Sequence, residues 1–143
     1  MSYKVVYFTR TGSSKRIAEK ISKKLCCETV EITDNINWKG IIGYLKGGAY
    51  SSKDKEVIIT LKGAVGSTEE LIVVTPLWAS KPAPAVMSFL KTRALGDINL
   101  VATSKGSTLR PSITGFKSLT SIVRRNNDED LQIENLVKSL NNK

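Results

Sequence analysis

The run Lys4-Val5-Val6-Tyr7-Phe8-Thr9-Arg10-Thr11-Gly12-Ser13-Ser14, continuing through Lys15 to Leu25, decides how the rest of the chain is read. Val5 to Phe8 is a short apolar run of β-branched and aromatic residues, which suits a strand buried on both faces. Beyond it, Ile17, Ala18, Ile21 and Leu25 recur at spacings of three and four, with Glu19, Lys20, Lys23 and Lys24 between them. This spacing predicts an amphipathic helix whose apolar stripe lies on a sheet. The hexapeptide Thr9–Ser14 is then a strand-to-helix turn holding four hydroxyls and a glycine.

A turn of this composition has a chemical use. The first backbone N–H groups of a helix lack internal partners, and the helix dipole places partial positive charge beside them. A phosphate fits such a site, and the hydroxyls of Thr9, Thr11, Ser13 and Ser14 can donate to its oxygens. Gly12 admits a backbone conformation closed to other residues and lets the chain approach the anion. The simpler reading is that Ser13 or Thr11 caps the helix, but a cap needs one hydroxyl and the turn holds four. The dinucleotide fingerprint G-x-G-x-x-G and the Walker loop G-x-x-x-x-G-K-[ST] are both absent.

Outward from this turn, strand and helix signals alternate. Thr29–Ile32 suits a second strand ended by Asp34-Asn35, and Trp38, Ile41, Ile42 and Leu45 suit a helix stopped at Gly47-Gly48. Tyr50–Lys55 reads as a polar loop, and Val57-Ile58-Ile59 as either a small extra strand or a covered loop. Leu71–Val74 is a third strand of the regular series. It leads through Thr75–Pro82 to a helix starting near Pro82 or Pro84, with Val86, Met87, Phe89 and Leu90 inward. Asn99–Thr103 and Leu119–Val123 supply two more strands, and Asp128 caps a last helix faced by Ile133, Leu136, Val137 and Leu140. The alternation predicts one α/β domain over residues 1–143 with a mainly parallel sheet and right-handed crossovers. Thr108–Lys117 contains Pro111 and Gly115 and is short for a parallel crossover of about a dozen residues. Any helix there is expected to be short or missing.

Composition narrows the function. Of 143 residues, 41% are hydrophobic and 24% charged, a globular balance with enough apolar surface for one core. The apolar runs are far too short to span a membrane, and Met1-Ser2-Tyr3-Lys4 leaves no room for a signal peptide, so a cytoplasmic location is expected. Cys26 and Cys27 are adjacent and form no disulfide framework; they sit where helix gives way to strand, a place for small buried residues. The chain has no histidine, which excludes His-based acid–base catalysis, His-containing metal sites and catalytic triads; no metal site is expected. A net charge of +9 raises a nucleic-acid reading. Yet the lysines are scattered, no three basic residues run together, and aromatics do not alternate with them. No nucleic-acid partner is expected.

In an open α/β sheet, ligands bind outside the carboxyl ends of the strands, where strand order reverses. Three loops fall there: Thr9–Ser14, Pro76–Lys81 and Ser104–Ser107. The first can hold a phosphate, Trp78 in the second can cover a flat aromatic ring, and backbone groups near Gly106 can bond a ring's polar edge. For Trp78 the alternative is a core tryptophan, but its place past the strand end, between a proline and Ala79-Ser80-Lys81-Pro82, favours ring contact.

Thr9, Thr11, Gly12 and Ser14 resemble the flavodoxin phosphate loop, T/S-x-T-G-x-T/S. Thr75 to Leu90 is similar to the P-I-W-x-x-x-P-A-P-P-V-x-x-F-L stretch of a bacterial flavodoxin subgroup. Thr103–Ser107 resembles its T-S-G-G-S, and Lys39–Gly48 its second-helix region. The resemblance spans nearly the whole chain. It implies a flavodoxin-like three-layer α/β/α sandwich, with a five-stranded parallel sheet in the order 2-1-3-4-5. It also implies non-covalent FMN and electron transfer through the flavin, with no catalytic residues of the chain's own. It assigns the FMN phosphate to Thr9, Arg10, Thr11, Gly12, Ser13 and Ser14. The isoalloxazine and ribityl chain fall to Pro76, Leu77, Trp78, Ala79 and Ser80, with the other rim from Thr103, Ser104, Lys105 and Gly106.

The chain departs from that family in two ways. Its third loop has no aromatic to stack on the outer flavin face, which leaves room for a small electrophile such as a quinone. An FMN-dependent NAD(P)H:quinone-type reductase is therefore an alternative, as is a flavodoxin-like binding module that has lost flavin. Flavodoxins are also typically acidic, whereas the loops with their flanks (9–16, 76–84, 103–111) hold Arg10, Lys15, Arg16, Lys81, Lys105 and Arg110 and no acid. A basic rim favours the anionic reduced flavin and steers a redox partner protein of acidic surface.

Overall fold

The computed structural model describes residues 2–34 and 58–141. The helix expected around Trp38–Leu45 and the loop at Tyr50–Lys55 lie outside the described residues. The chain forms β1 (Tyr3–Tyr7), α1 (Ser13–Leu25), β2 (Glu28–Asp34), β3 (Ile59–Lys62), β4 (Glu70–Trp78), β5 (Lys81–Pro82), α2 (Pro84–Leu90), β6 (Ile98–Ser104), β7 (Ser118–Val123) and α3 (Glu129–Asn141). Short 3₁₀ turns at Leu95–Asp97 and Arg124–Asn126 precede β6 and α3.

The main sheet runs β3-β2-β1-β4-β6-β7. Five of these strands are mutually parallel; β3 joins β2 antiparallel, and two-residue β5 folds back on β4. The sheet therefore has seven strands where five were expected. Each addition has its own explanation. The residues of β3 alternate half-buried and exposed, the pattern of a strand that covers an otherwise open edge. β5 exists because Ala79 and Ser80 turn the chain back on itself, at φ of 55° and 60°.

Strand alternation divides the core between the two faces of the sheet. Val6, Val73 and Leu100 pack on one side with Val86, Phe89 and Leu90 of α2. Val5, Ile72, Val74 and Val101 pack on the other with Ile17, Ala18 and Ile21 of α1 and Ile133, Leu136 and Leu140 of α3. Helices thus cover both faces of a mostly parallel sheet, as the alternation predicted. Between β6 and β7 there is no helix. Instead the connection tucks Leu109 into the α2-side cluster, with Ile113 and Phe116 packed against it.

Candidate functional site

The carboxyl ends of β1, β4, β6 and β7 share one edge of the sheet, because register pairs Tyr7 with Val74, Pro76 with Thr103 and Ser104 with Val123. A cavity of about 620 Å³ opens there. Of the residues expected at the site, Thr9, Arg10, Thr11, Ser13 and Ser14 line it, with Pro76, Leu77, Trp78, Thr103, Ser104, Lys105 and Gly106. Gly12, Ala79 and Ser80 do not; they shape the turns that present their neighbours.

The first wall is the turn into α1. The residue preceding the helix is Gly12, at φ 98°, and no side chain caps the helix start. The simple capping role considered for Ser13 or Thr11 is therefore not the arrangement found. Thr9 Oγ1 accepts the Gly12 N–H at 2.9 Å, which folds the turn over on itself. The hydroxyls of Thr11, Ser13 and Ser14 bond to no described residue, although Ser14 is almost fully buried. Uncapped N–H groups and unengaged hydroxyls on one wall suit an anion such as phosphate.

The second wall revises the reading of Trp78. It was expected past the strand end, standing over the cavity. In fact β4 extends through it, paired with β5, and Trp78 is only 6% exposed. It meets Phe8 edge-on at 5.7 Å and belongs to the α2-side core, while part of it lines the cavity. The entry to α2 is pinned by Thr75, whose hydroxyl donates to the Pro76 carbonyl at 2.9 Å and accepts the Ala83 N–H at 3.1 Å.

The third wall, Ser104–Ser107, closes on itself. Ser104 Oγ donates to the Ser107 carbonyl and accepts the Ser107 N–H. No aromatic lies in this loop, so no ring is available there to stack.

A fourth wall was not foreseen: Ile122, Val123 and Arg124, then Asn127, Asp128 and Glu129 at the start of α3. The available signal was that β7, as a parallel strand, must end at the same edge. This wall brings acid to a rim that the three loops alone make basic. Arg16 lies 2.6 Å from Glu129, and Lys20 lies 2.7 Å from Glu129 and 2.9 Å from Asp130. The Arg16 hydrogen bond, followed by that of Lys20, holds the Glu129 carboxyl below its usual range against the opposing effect of burial. The same contacts raise Arg16 and Lys20.

Cys26 is exposed and ends α1 in a left-handed conformation; Cys27 is half-buried, and burial pushes its thiol up. A raised thiol is the less reactive form. No cluster of potential metal ligands occurs among the described residues, and no described helix is long and apolar enough to cross a membrane.

The sequence matches no protein-family model and no curated protein. Solved structures, in contrast, match over nearly the whole length. A candidate flavoprotein from Bacteroides eggerthii superposes with a TM-score of 0.75 at 17% identity, covering 96% of each chain. A flavoprotein from Lactobacillus acidophilus solved in complex with FMN gives 0.64 at 15%, covering 92% of this chain and 97% of that one. An NADH:FMN oxidoreductase in its apo form gives 0.55 at 16%, covering 97% and 88%. The fold is flavodoxin-like.

Proposed function

We propose that the protein binds FMN non-covalently in the cavity at the carboxyl edge of its sheet and carries electrons between partners in the cytoplasm. The observation that carries this reading is the first wall: an uncapped helix start beside three hydroxyls that bond to no described residue. That donor set suits a phosphate monoester, and the cavity volume of about 620 Å³ suits a ligand of flavin size. The complex of a similarly folded flavoprotein with FMN supports the same ligand.

Thr11, Ser13, Ser14 and the α1 N–H groups would hold the phosphate, with Thr9 fixing the turn through Gly12. Arg10 adds positive charge at the same wall. Pro76, Leu77 and Trp78 offer apolar contact to the ring, and Thr103 to Gly106 offer polar contact at its edge. Bound flavin would supply reversible uptake of one or two electrons. The chain's own part is to hold it, to exclude water with its apolar wall, and to set the surrounding charge.

A second reading, an FMN-dependent reductase acting on a quinone-type electrophile, is favoured by one observation. The Ser104–Ser107 wall places no aromatic over the ring, which would leave a face for a substrate. The experiment that tests the first reading is titration of the apoprotein with FMN, followed by flavin fluorescence. Saturable one-to-one binding is expected, and absence of binding overturns it. Steady NADH consumption with a quinone by the loaded protein would favour the second reading over the carrier.

A further inference from the structure

Besides Arg10, two groups of cations flank the cavity. On the α1–α3 side they are matched, with Arg16 and Lys20 bound to Glu129 and Asp130. On the β6–β7 side stand Lys105, Arg110, Arg124 and Arg125, all exposed. None of these four forms an ion pair with a described residue.

Main-chain hydrogen bonds frame this second group. The Arg125 N–H donates to the Lys105 carbonyl at 3.1 Å, and the Arg110 N–H donates to the Ser80 carbonyl at 2.9 Å. The Arg125 guanidinium lies over the third loop: a Cβ placed on Gly106 would stand 3.7 Å from one of its nitrogens. Lys105 and Arg124 line the cavity itself and Arg125 is bonded to Lys105, so these three sit at the rim of the proposed flavin site, and Arg110 extends the group beside the Ala79–Ser80 turn. Asp128 is the nearby acid on the same wall, against these four cations, and an excess of like charge creates a field that attracts anions and speeds their encounter.

The geometry also selects the kind of anion. A small anion is gripped by convergent, partly buried donors, whereas these side chains are exposed and carried on separate loops. A nucleic acid without sequence preference stacks its bases on exposed aromatics, and the segments that carry these four cations, residues 104–111 and 122–129, hold none. An acidic protein face matches several exposed, spaced cations. We propose that the rim of Lys105, Arg110, Arg124 and Arg125 is the docking face for an acidic redox protein. Its electron-transfer role rests on the FMN reading, but docking does not. With FMN bound, the partner would pass one electron per encounter, and two encounters with one proton taken from water would complete reduction to the anionic hydroquinone.

The test has two arms. In the first, the isotope-labelled apoprotein is titrated with hexaglutamate and followed by NMR. The amides of the four rim residues are expected to shift. Affinity is expected to fall as the screening length shrinks from about 30 Å at 0.01 M salt to about 8 Å at 0.15 M. Arg110→Glu combined with Arg125→Glu should weaken binding about tenfold or more, with the remaining spectrum showing that the fold is kept. If that variant does not fold, Arg125→Gln and the salt series decide.

In the second arm, reduced FMN-loaded protein is mixed with ferricyanide, a trianion, or tris(phenanthroline)cobalt(III), a trication. Two metal complexes are reduced for each flavin reoxidised. The ferricyanide rate should fall with salt and fall in the variant, while the cobalt rate moves the opposite way. Rim amides unmoved by hexaglutamate, or the same salt trend for both complexes, would overturn the proposal. So would tighter binding of an oligothymidylate than of hexaglutamate at the rim, which would point to a nucleic acid. Failure to bind FMN removes only the second arm and leaves the first to decide docking.

Discussion

The two edges of one sheet use polar residues in opposite ways. At the amino edge, Glu70 is buried and its carboxylate takes 2.6 Å contact with Lys117 and a 3.1 Å hydrogen bond from Asn99. Asn99 also donates to the Leu71 carbonyl at 3.1 Å and accepts from the Ser118 hydroxyl at 2.6 Å. These groups at the starts of β4, β6 and β7 satisfy one another and tie the three strands together. At the carboxyl edge, the hydroxyls of Thr11, Ser13 and Ser14 bond to no described residue, and Gly12, Ala79 and Ser80 take left-handed conformations. Polar groups that satisfy each other hold a fold; polar groups left facing a cavity are available to a ligand.

Mutations at the two edges should therefore separate stability from binding. Glu70→Ala removes the buried carboxylate that Asn99 and Lys117 share and should cost about 3 kcal/mol in chemical denaturation. FMN affinity measured on the folded fraction should stay unchanged. Gly12→Ala meets no atom within 4 Å, so its cost comes from the backbone at φ 98°. That cost should be about 1–2 kcal/mol, with FMN binding weakened as well because the turn moves.

Two smaller effects sharpen the contrast. The two-residue turn Ala79–Ser80 holds both residues at positive φ, where Asn-Gly is the favoured pair. Ala79→Asn with Ser80→Gly should add about 1 kcal/mol to stability. Glu129 tests the charged clasp beside the hydroxyl turn. Its folded-state pKa lies below its unfolded value. The stabilisation is thus present above the ordinary glutamate range and is lost as pH falls through the lowered folded value. Arg16 and Lys20 are substantially exposed, so solvent screening limits the effect. Glu129→Gln should cost at most about 1 kcal/mol near neutral pH. Stability curves of the variant and the parent should converge in acid.

Much of this was legible in local sequence. The Val5–Phe8 run, the hydroxyl turn and the Ile17, Ala18, Ile21 stripe each carry a short-range signal, and β1, the turn and α1 follow from them. The missing helix between β6 and β7 was legible from Pro111 and Gly115. The place of Trp78 past the strand end is corrected, not its place at the cavity: Ala-Ser carries none of the usual hairpin chemistry, so nothing in the sequence announces that β4 runs on through Trp78 and pairs with β5. The order 2-1-3-4-5 already sets Leu119–Val123 beside Asn99–Thr103; what it does not reveal is that the turn at Arg124–Asn126 carries Asn127–Glu129 onto the cavity. Val57–Ile59 reads equally as strand or loop because the strand that starts at Ile59, β3, depends on a partner distant in sequence. Its residues pair with β2 across a long intervening segment.

The most direct test compares FMN with riboflavin, which differ only by the phosphate, in equilibrium titrations of the apoprotein. An uncapped helix start beside three hydroxyls that bond to no described residue predicts that FMN binds at least about tenfold more tightly. It also predicts that Thr11→Ala with Ser13→Ala removes most of the difference while riboflavin affinity stays the same. Equal affinities for the two flavins, or a preference untouched by that double substitution, would contradict a phosphate site at Thr9–Ser14.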